Sequence, residues 1–429
     1  MPDDVRVRMY NVGFGDAFLI EVPTGDDRPF RILVDCGAHS AGYPSEGWRP
    51  EDVVDQIIAD ITGHDGGPHL DLVVATHRHQ DHVSGFRAAA WANVHVGEVW
   101  LPWTEDANDP EATGLRDRQH RLALGMRSAL RRPEVIARFA DPQRLDSLRE
   151  LVANSLTNED AMATLRSGFR GRARRRFLGA GDPPLSPPSC PGLTVHVLGP
   201  SRDPQVIREM DPPAGQSYLR YMEEAAPTEP TSETLLESTQ AARLATHRPF
   251  QRTFTLTADS YLKHWPHLAL DDDIKDAAAG IMRDDDLAAA VSLDKAVNNT
   301  SLMLMFEIGD AFLLFPGDAQ WGSWQAALED PESRDLLSRT TFYKIGHHGS
   351  HNATPRAFVE DVLAGRTLWG AVASVRPIDR WPQIPKQELL TALHRRATRV
   401  VRSDAPGRVG DGVNPRHNVG IDFTVPQQG

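Results

Sequence analysis

Apolar and polar positions alternate through Val5-Arg6-Val7-Arg8-Met9-Tyr10, the period of a strand with one buried face. A glycine-bearing bend, Asn11 to Asp16, separates it from a second apolar run, Ala17 to Val22, so the pair predicts a β-hairpin. Phe30 to Val34 predicts a third strand, ending in Asp35-Cys36-Gly37, and residues 51–62 carry the apolar spacing of a helix. Leu70 to Ala75 and Val94 to Leu101 predict two further strands, with a helix after Val83 between them. Leu193 to Leu198 predicts a strand stopped by Gly199-Pro200. Ser301 to Phe306 and Ala311 to Phe315 predict a hairpin turning at Gly309-Asp310. Strands at Thr341–Ile345, Leu368–Val375, Arg399–Arg402 and Val419–Val425 complete the set, with helices from Pro355, behind a Thr354 cap, and over Pro385–Ala397.

Two stretches break this pattern. Residues 104–180 are rich in Arg, Leu and Ala and poor in β-branched residues, a helix-forming composition. With the proline-rich linker at 181–191 they define a helical basic insertion, 104–190. It includes Arg166-Ser167-Gly168-Phe169-Arg170-Gly171-Arg172-Ala173-Arg174-Arg175-Arg176, six arginines without an acid. Such a run is either a solvated face balancing an acidic chain or a patch for phosphate groups, through which nucleic acid could bind. Residues 201–292 form an acidic insertion. Its runs Asp271-Asp272-Asp273 and Asp284-Asp285-Asp286 lack the spacing of a calcium loop, and His264 and His267 offer a local ligand pair. The remainder reads as one domain spanning 1–429, interrupted twice.

Composition narrows the class. At 40% hydrophobic and 24% charged residues, the 429-residue chain is an ordinary globular protein. A net charge of −13 disfavours a nucleic-acid backbone unless a local basic patch overrides it. Cys36 and Cys190 have no metal-motif spacing and make no disulfide framework, which predicts a reducing compartment. The N-terminus has no apolar signal core and no stretch reaches membrane-span length, so a cytoplasmic protein without membrane association is expected.

The chemistry concentrates in Thr76-His77-Arg78-His79-Gln80-Asp81-His82, directly after an apolar strand. Three imidazoles and a carboxylate in six residues are the ligand types of zinc and its first-row neighbours. Burying them without a partner would cost several kcal/mol, of the order of 2–7 for each group. Two later strand ends carry matching groups: Pro316-Gly317-Asp318 and Gly346-His347-His348-Gly349-Ser350-His351.

Together these motifs resemble the metallo-β-lactamase superfamily, and more narrowly the metallo-β-lactamase domain of the DNA-uptake protein ComEC and its stand-alone relatives. Asn11-Val12-Gly13-Phe14-Gly15-Asp16-Ala17 is similar to their opening Asp-Val-Gly-Gln-Gly-Asp-Ala. Ile32-Leu33-Val34-Asp35-Cys36-Gly37 matches their second strand, and Asn298-Asn299-Thr300-Ser301 is similar to their Asn-Asn-x-Ser. Leu314-Phe315-Pro316-Gly317-Asp318, Lys344-Ile345-Gly346-His347-His348-Gly349-Ser350 and Arg402-Ser403-Asp404 follow in the family's order. The match covers 1–103 and 293–425.

The resemblance implies an α/β (α+β) fold, a four-layer αββα sandwich with two insertions and metals at one edge between the sheets. It implies two divalent metal ions, zinc or manganese. His77 and His79 hold one; Asp81 and His82 hold the other together with His347 or His348, of which His347 is favoured because His-x-Gly-Ser resembles the His-x-Gly-Thr ligand turn of other superfamily members; Asp318 bridges them. Asp35, with Asp16, Asn299 and Ser301, supports the ligands by hydrogen bonds. His348, His351 and Asn352 face the substrate, and Asp81 and His348 take the catalytic roles. Many superfamily members add a histidine where this chain has Leu198-Gly199-Pro200, which leaves the His77/His79 site one ligand short. His196 nearby reads as an ordinary strand residue. The implied activity is that of a phosphodiesterase, a nuclease included, using water activated between two metals. The same centre opens esters, lactones and thioesters, and a non-catalytic metal-stabilised binding module is the third alternative.

Overall fold

The computed structural model describes residues 4–25, 28–45, 48–63, 66–136, 145–146, 149, 152–153, 158–209, 211–213, 215–218, 296–378, 383–407, 410–416 and 419–427. All belong to one of two compact units in the chain, Met1–Tyr218 with Leu287–Gly429. His264, His267 and the aspartate runs at 271–273 and 284–286 lie outside the described residues.

The fold is mixed α/β, built on two sheets. In the first, β1 (Val5–Tyr10) lies between β14 (Gly420–Val425) and β2 (Ala17–Val22), antiparallel to both. β2 pairs antiparallel with β3 (Phe30–Cys36). From β3 the strands run parallel through β4 (His69–Val74), β5 (His95–Pro102) and β6 (Arg174–Leu178). β13 (Val413–Arg416) closes the other edge against β14. The second sheet begins with antiparallel β7 (Leu193–Gly199), β8 (Met303–Ile308) and β9 (Ala311–Phe315). It continues in parallel through β10 (Phe342–Lys344), β11 (Gly370–Ala373) and β12 (Val400–Arg402).

Period-two alternation decides which face each strand residue serves. Val5, Val7, Phe18, Ile20, Ile32, Val34, Leu72 and Val74 join Val195, Leu304, Phe306, Leu313 and Phe342 of the second sheet in one apolar cluster. The intervening Leu19, Leu33 and Val73 turn the other way, onto Val54, Ile57 and Ile61 of the helix Pro50–Ile61. On the second sheet Met303, Met305, Leu314 and Tyr343 turn onto Trp324, Phe358 and Leu389 of its flanking helices. Each sheet therefore has helical cover on one face and shares an apolar cluster on the other.

Three local expectations are corrected. The helix expected after Val83 is replaced by two 3₁₀ turns, Ser84–Arg87 and Ala89–Asn93. Thr354 spends its hydroxyl on Tyr343 Oη at 2.8 Å, and the helical residues after it form a π-turn, Ala357–Val362. The basic segment is only partly helical: Pro110–Ala129 is a helix, but Arg174–Leu178 is the edge strand β6. Its arginines hid the strand from sequence reading. They are accommodated because β6 is an edge, where charge is tolerated and discourages further pairing, and because Glu98 on β5 accepts from Arg176 Nε at 2.9 Å.

This topology collects loops at one end. Asp35 closes β3, residues 76–82 follow β4, Asp318 follows β9, His347-His348 follow β10 and Ser374 follows β11. Carboxyl ends of parallel strands are where loop side chains converge over a rigid sheet.

Candidate metal centre

Asp35 organises the loop after β4. Its backbone is left-handed at φ 57°, a strained state for a residue other than glycine. Its Oδ1 accepts from the Thr76 amide at 2.7 Å, and its Oδ2 accepts from the Thr76 hydroxyl at 2.7 Å and from His82 Nδ1 at 2.8 Å. Gly37 lets the loop come close: a Cβ there would stand 2.5 Å from Asp81 C and His82 N. The Asp16 amide donates to Asp81 O at 2.9 Å, which ties the β1–β2 bend to the same loop.

Asp81, His82, Asp318 and His348 then form a buried four-donor cluster, one ligand atom from each lying within 4.8 Å of the others. His82 Nε2 is 3.2 Å from Asp318 Oδ2, and His348 Nε2 is 3.2 Å from Asp81 Oδ2. Two ligands on one ion at about 2.0–2.1 Å stand about 2.9 Å apart at a right angle and about 3.3 Å apart in a tetrahedron. The hydrogen bonds fix the imidazoles to match. His82 gives its Nδ1 proton to Asp35, and His348 gives its Nδ1 proton to Ser374 O at 2.7 Å. In the neutral rings both Nε2 lone pairs therefore point at carboxylate oxygens. Two acceptors face to face repel unless a proton or a metal ion joins them, and Asp81 Oδ1 is also buried without a hydrogen-bond partner. These residues could hold a metal ion.

The electrostatics agree. Burial disfavours charge on His82, yet Asp318, Asp35 and Asp81 outweigh it and raise its pKa well above the usual imidazole value. Burial likewise opposes ionisation of Asp81 and Asp318, but His82 beside both holds them well below the carboxylate range. In each case the surroundings favour positive charge at the centre of the cluster. Lys344, 2% exposed, is a fixed cation at its edge: it ion-pairs with Asp16 and lies 3.8 Å from Asp318 Oδ1.

The second histidine in the cluster, beside His82, is His348, whereas His347 was the favoured ligand of the pair and His348 the expected substrate contact. His347 Nε2 lies 3.9 Å from Asp318 Oδ2 and its side chain is 20% exposed; its amide donates to Asp318 Oδ1 at 3.1 Å. The exchange follows from the backbone. His347 and His348 have φ of 45° and 52°, so the chain coils left-handed there and carries the second ring inward. Phe14 packs on that ring, centroids 4.1 Å apart.

His77 and His79 form the neighbouring pair, His77 Nε2 lying 3.1 Å from His79 Nδ1. Burial, with His82 and His79 nearby, pushes the pKa of His77 well below the usual value, so the ring is neutral. Among the described residues neither joins two other His, Cys or acidic donors as closely as the four-donor cluster does. Asn298 Oδ1 is 2.7 Å from His79 Nδ1.

The other expected residues divide. Ser301 Oγ accepts from the Asp318 amide at 3.1 Å. Asn299 reaches no ligand side chain: it donates to Val206 O, Ile207 O and Glu209 O and accepts from Gln320 N at 3.1 Å, pinning residues 206–209 beside the Asp318 loop. Asn352, expected at the substrate, is buried and occupied, donating to Gln320 Oε1 at 3.1 Å and accepting from Ser350 Oγ at 3.0 Å. The His351 carbonyl accepts from Ser217 Oγ at 3.1 Å. His196 is an ordinary strand residue, 2.7 Å from Glu307 Oε2.

Lys344 and Asn298 stand in the matched motifs without an assigned role, and Ser374 was not singled out at all. A lysine ending the apolar run Thr341–Ile345 was a usable signal for the first; Ser374 acts through its carbonyl, which no side-chain pattern reveals. Three of the six arginines in the run have ion pairs: Arg166 pairs with Glu159 at 3.3 Å and Glu105 at 3.6 Å, and Arg174 and Arg176 pair with Glu98 at 3.7 and 2.9 Å. Arg78, between the two histidines, pairs with Glu105 at 3.5 Å and with Glu159.

Compared with known proteins, the chain matches no family model and no curated relative. Among the described residues no helix is long and apolar enough to cross a membrane.

Proposed function

We propose that this protein is a metal-dependent hydrolase of phosphodiesters, built as the four-layer αββα sandwich of the metallo-β-lactamase superfamily and using two divalent ions, zinc or manganese. The observation that carries the reading is the cluster of Asp81, His82, Asp318 and His348, with both imidazoles turned by Asp35 and Ser374 so that lone pairs meet carboxylates. The motif order that resembles ComEC-like proteins selects phosphodiesters among the substrates such a centre can take; that selection is an analogy of family.

A divalent ion supplies charge to polarise a phosphoryl oxygen and lowers the pKa of water near it. The chain's own residues do the rest. Asp81, His82, Asp318 and His348 hold the ion, while Asp35 and Ser374 keep the two rings from rotating. Lys344 and Asp16 balance charge beneath the ligands. His347, partly exposed and fixed through its amide to Asp318, is the imidazole placed to contact a phosphate oxygen or protonate the leaving group. The net charge of −13 favours a small or single-stranded phosphodiester over long duplex DNA.

Metal analysis followed by assays with manganese and zinc on bis-p-nitrophenyl phosphate, short single-stranded DNA and a lactone tests this. The expected result is phosphodiester turnover that is lost on chelation and in Asp318→Ala. Turnover of the lactone alone would assign the centre to ester chemistry, and phosphodiester turnover surviving Asp318→Ala would sink the reading.

A further inference from the structure

We propose that the side-chain oxygen of Asn298 completes a second metal site with His77 and His79, in place of the histidine this chain lacks. The inference rests on the metal-centre reading above and extends it to a residue that the ligand motifs leave out.

Three ligand-type atoms meet around His79 Nδ1. His77 Nε2 is 3.1 Å from it and Asn298 Oδ1 is 2.7 Å from it. Both separations suit neighbouring ligands of one ion, for which right-angled bonds of about 2.0–2.1 Å give about 2.9 Å. Proton counting points the same way. The Thr76 hydroxyl donates to Asp35 Oδ2, so toward His77 Nδ1, 3.2 Å away, it can only accept. His77 therefore carries its proton on Nδ1 and a lone pair on Nε2. Asn298 Oδ1 also brings a lone pair. His77 Nε2 and Asn298 Oδ1 thus both turn lone pairs toward His79 Nδ1, an arrangement that a cation among the three atoms suits.

The backbone holds Asn298 in place. It is 1% exposed, in a turn closed by the Ser301 amide donating to Asn298 O at 3.0 Å. The next amide, Leu302 N, donates to Thr76 O at 2.8 Å, so this turn and the histidine loop are hydrogen-bonded to each other one residue before His77. Ser301 of the same turn accepts from the Asp318 amide. The turn thus touches both His79 and Asp318.

A neutral amide oxygen with two imidazoles is a less charged donor set than the two carboxylates and two imidazoles next to it. The second site should therefore fill after the first.

Metal titration with manganese and with zinc, followed by elemental analysis, tests the assignment on the full chain. Wild type should bind two manganese ions in distinct steps. Asn298→Ala should keep the tighter ion and weaken the second by more than about tenfold, while Asn298→Asp should retain two. Cobalt in the second site should change its visible absorption in Asn298→Ala, because a ligand has been lost, and keep a similar coordination number in Asn298→Asp. A thermal unfolding midpoint of metal-free Asn298→Ala close to wild type establishes that the variant is folded; if it falls, Asn298→Asp carries the comparison. Two ions bound with unchanged affinity by Asn298→Ala overturns the proposal, as does unchanged cobalt absorption. A wild type that binds a single ion overturns this proposal and the count of two ions, and leaves the Asp81 cluster standing as a one-metal centre. A wild type that binds none overturns the metal-centre reading as well.

Discussion

His348 Nε2 stands 3.2 Å from Asp81 Oδ2, across 267 positions of sequence, while the adjacent His347 ring remains partly exposed. The contact separates two neighbouring histidines into different jobs. His348→Ala should remove an ion from the Asp81 cluster, and His347→Ala should leave metal content unchanged while reducing turnover. Elemental analysis of both purified variants, with assay of the second, checks this. Metal loss in His347→Ala with full retention in His348→Ala would restore the expectation from sequence.

Asp35 acts on the metal site through His82. In Asp35→Asn the amide presents an N–H where one carboxylate oxygen now accepts, so it cannot serve both the Thr76 amide and His82. Metal affinity should fall about 10–100-fold, the range for lost partners of ligating histidines. Isothermal titration of zinc into the metal-free variant gives the number.

Lys344 and Asp16 form an ion pair buried at 2% and 1% exposure, joining β10 to the β1–β2 bend. Lys344→Met removes one partner and leaves a buried carboxylate, a loss of about 3–5 kcal/mol. Asp16→Asn together with Lys344→Met should recover much of it. Urea unfolding of the two variants, metal-free, checks the ordering; equal losses would show that the pair has no coupled role.

Asp71 is a pH probe away from the centre. Burial alone would raise its carboxyl, but Arg28, the Arg31 amide and His69 outweigh it and hold it below the usual range. Arg28 binds it with two contacts of 2.9 Å. A folded pKa below the unfolded one means stability that is present above about pH 3.9, the unfolded value, and lost as pH falls through the folded value. Asp71→Asn should therefore cost about 1–3 kcal/mol near pH 6, and the deficit should shrink as both proteins are acidified. Thermal unfolding across that range measures it.

The sequence by itself determined the strand order of chemistry: which apolar runs are strands, that Asp35, His77 to His82, Asp318 and the His347-His348 pair follow them, and that imidazoles and carboxylates in that spacing suit a metal. Those features are local, because period-two alternation and turn residues act over a few positions. Three things were decided only by the tertiary structure. Which of two adjacent histidines enters the cluster depends on a left-handed backbone at both, set by packing against Phe14 and the bond to Ser374 O. Arg174 to Leu178 is a strand because β5 offers it an edge and Glu98 offers it a counter-charge, neither visible in its own arginine-rich letters. Asn298 meets His79 across 219 positions, a pairing that depends on the turn before β8 being hydrogen-bonded to the loop after β4. Long-range contacts of this kind depend on how loops seat on a finished sheet, and local pattern carries no record of them.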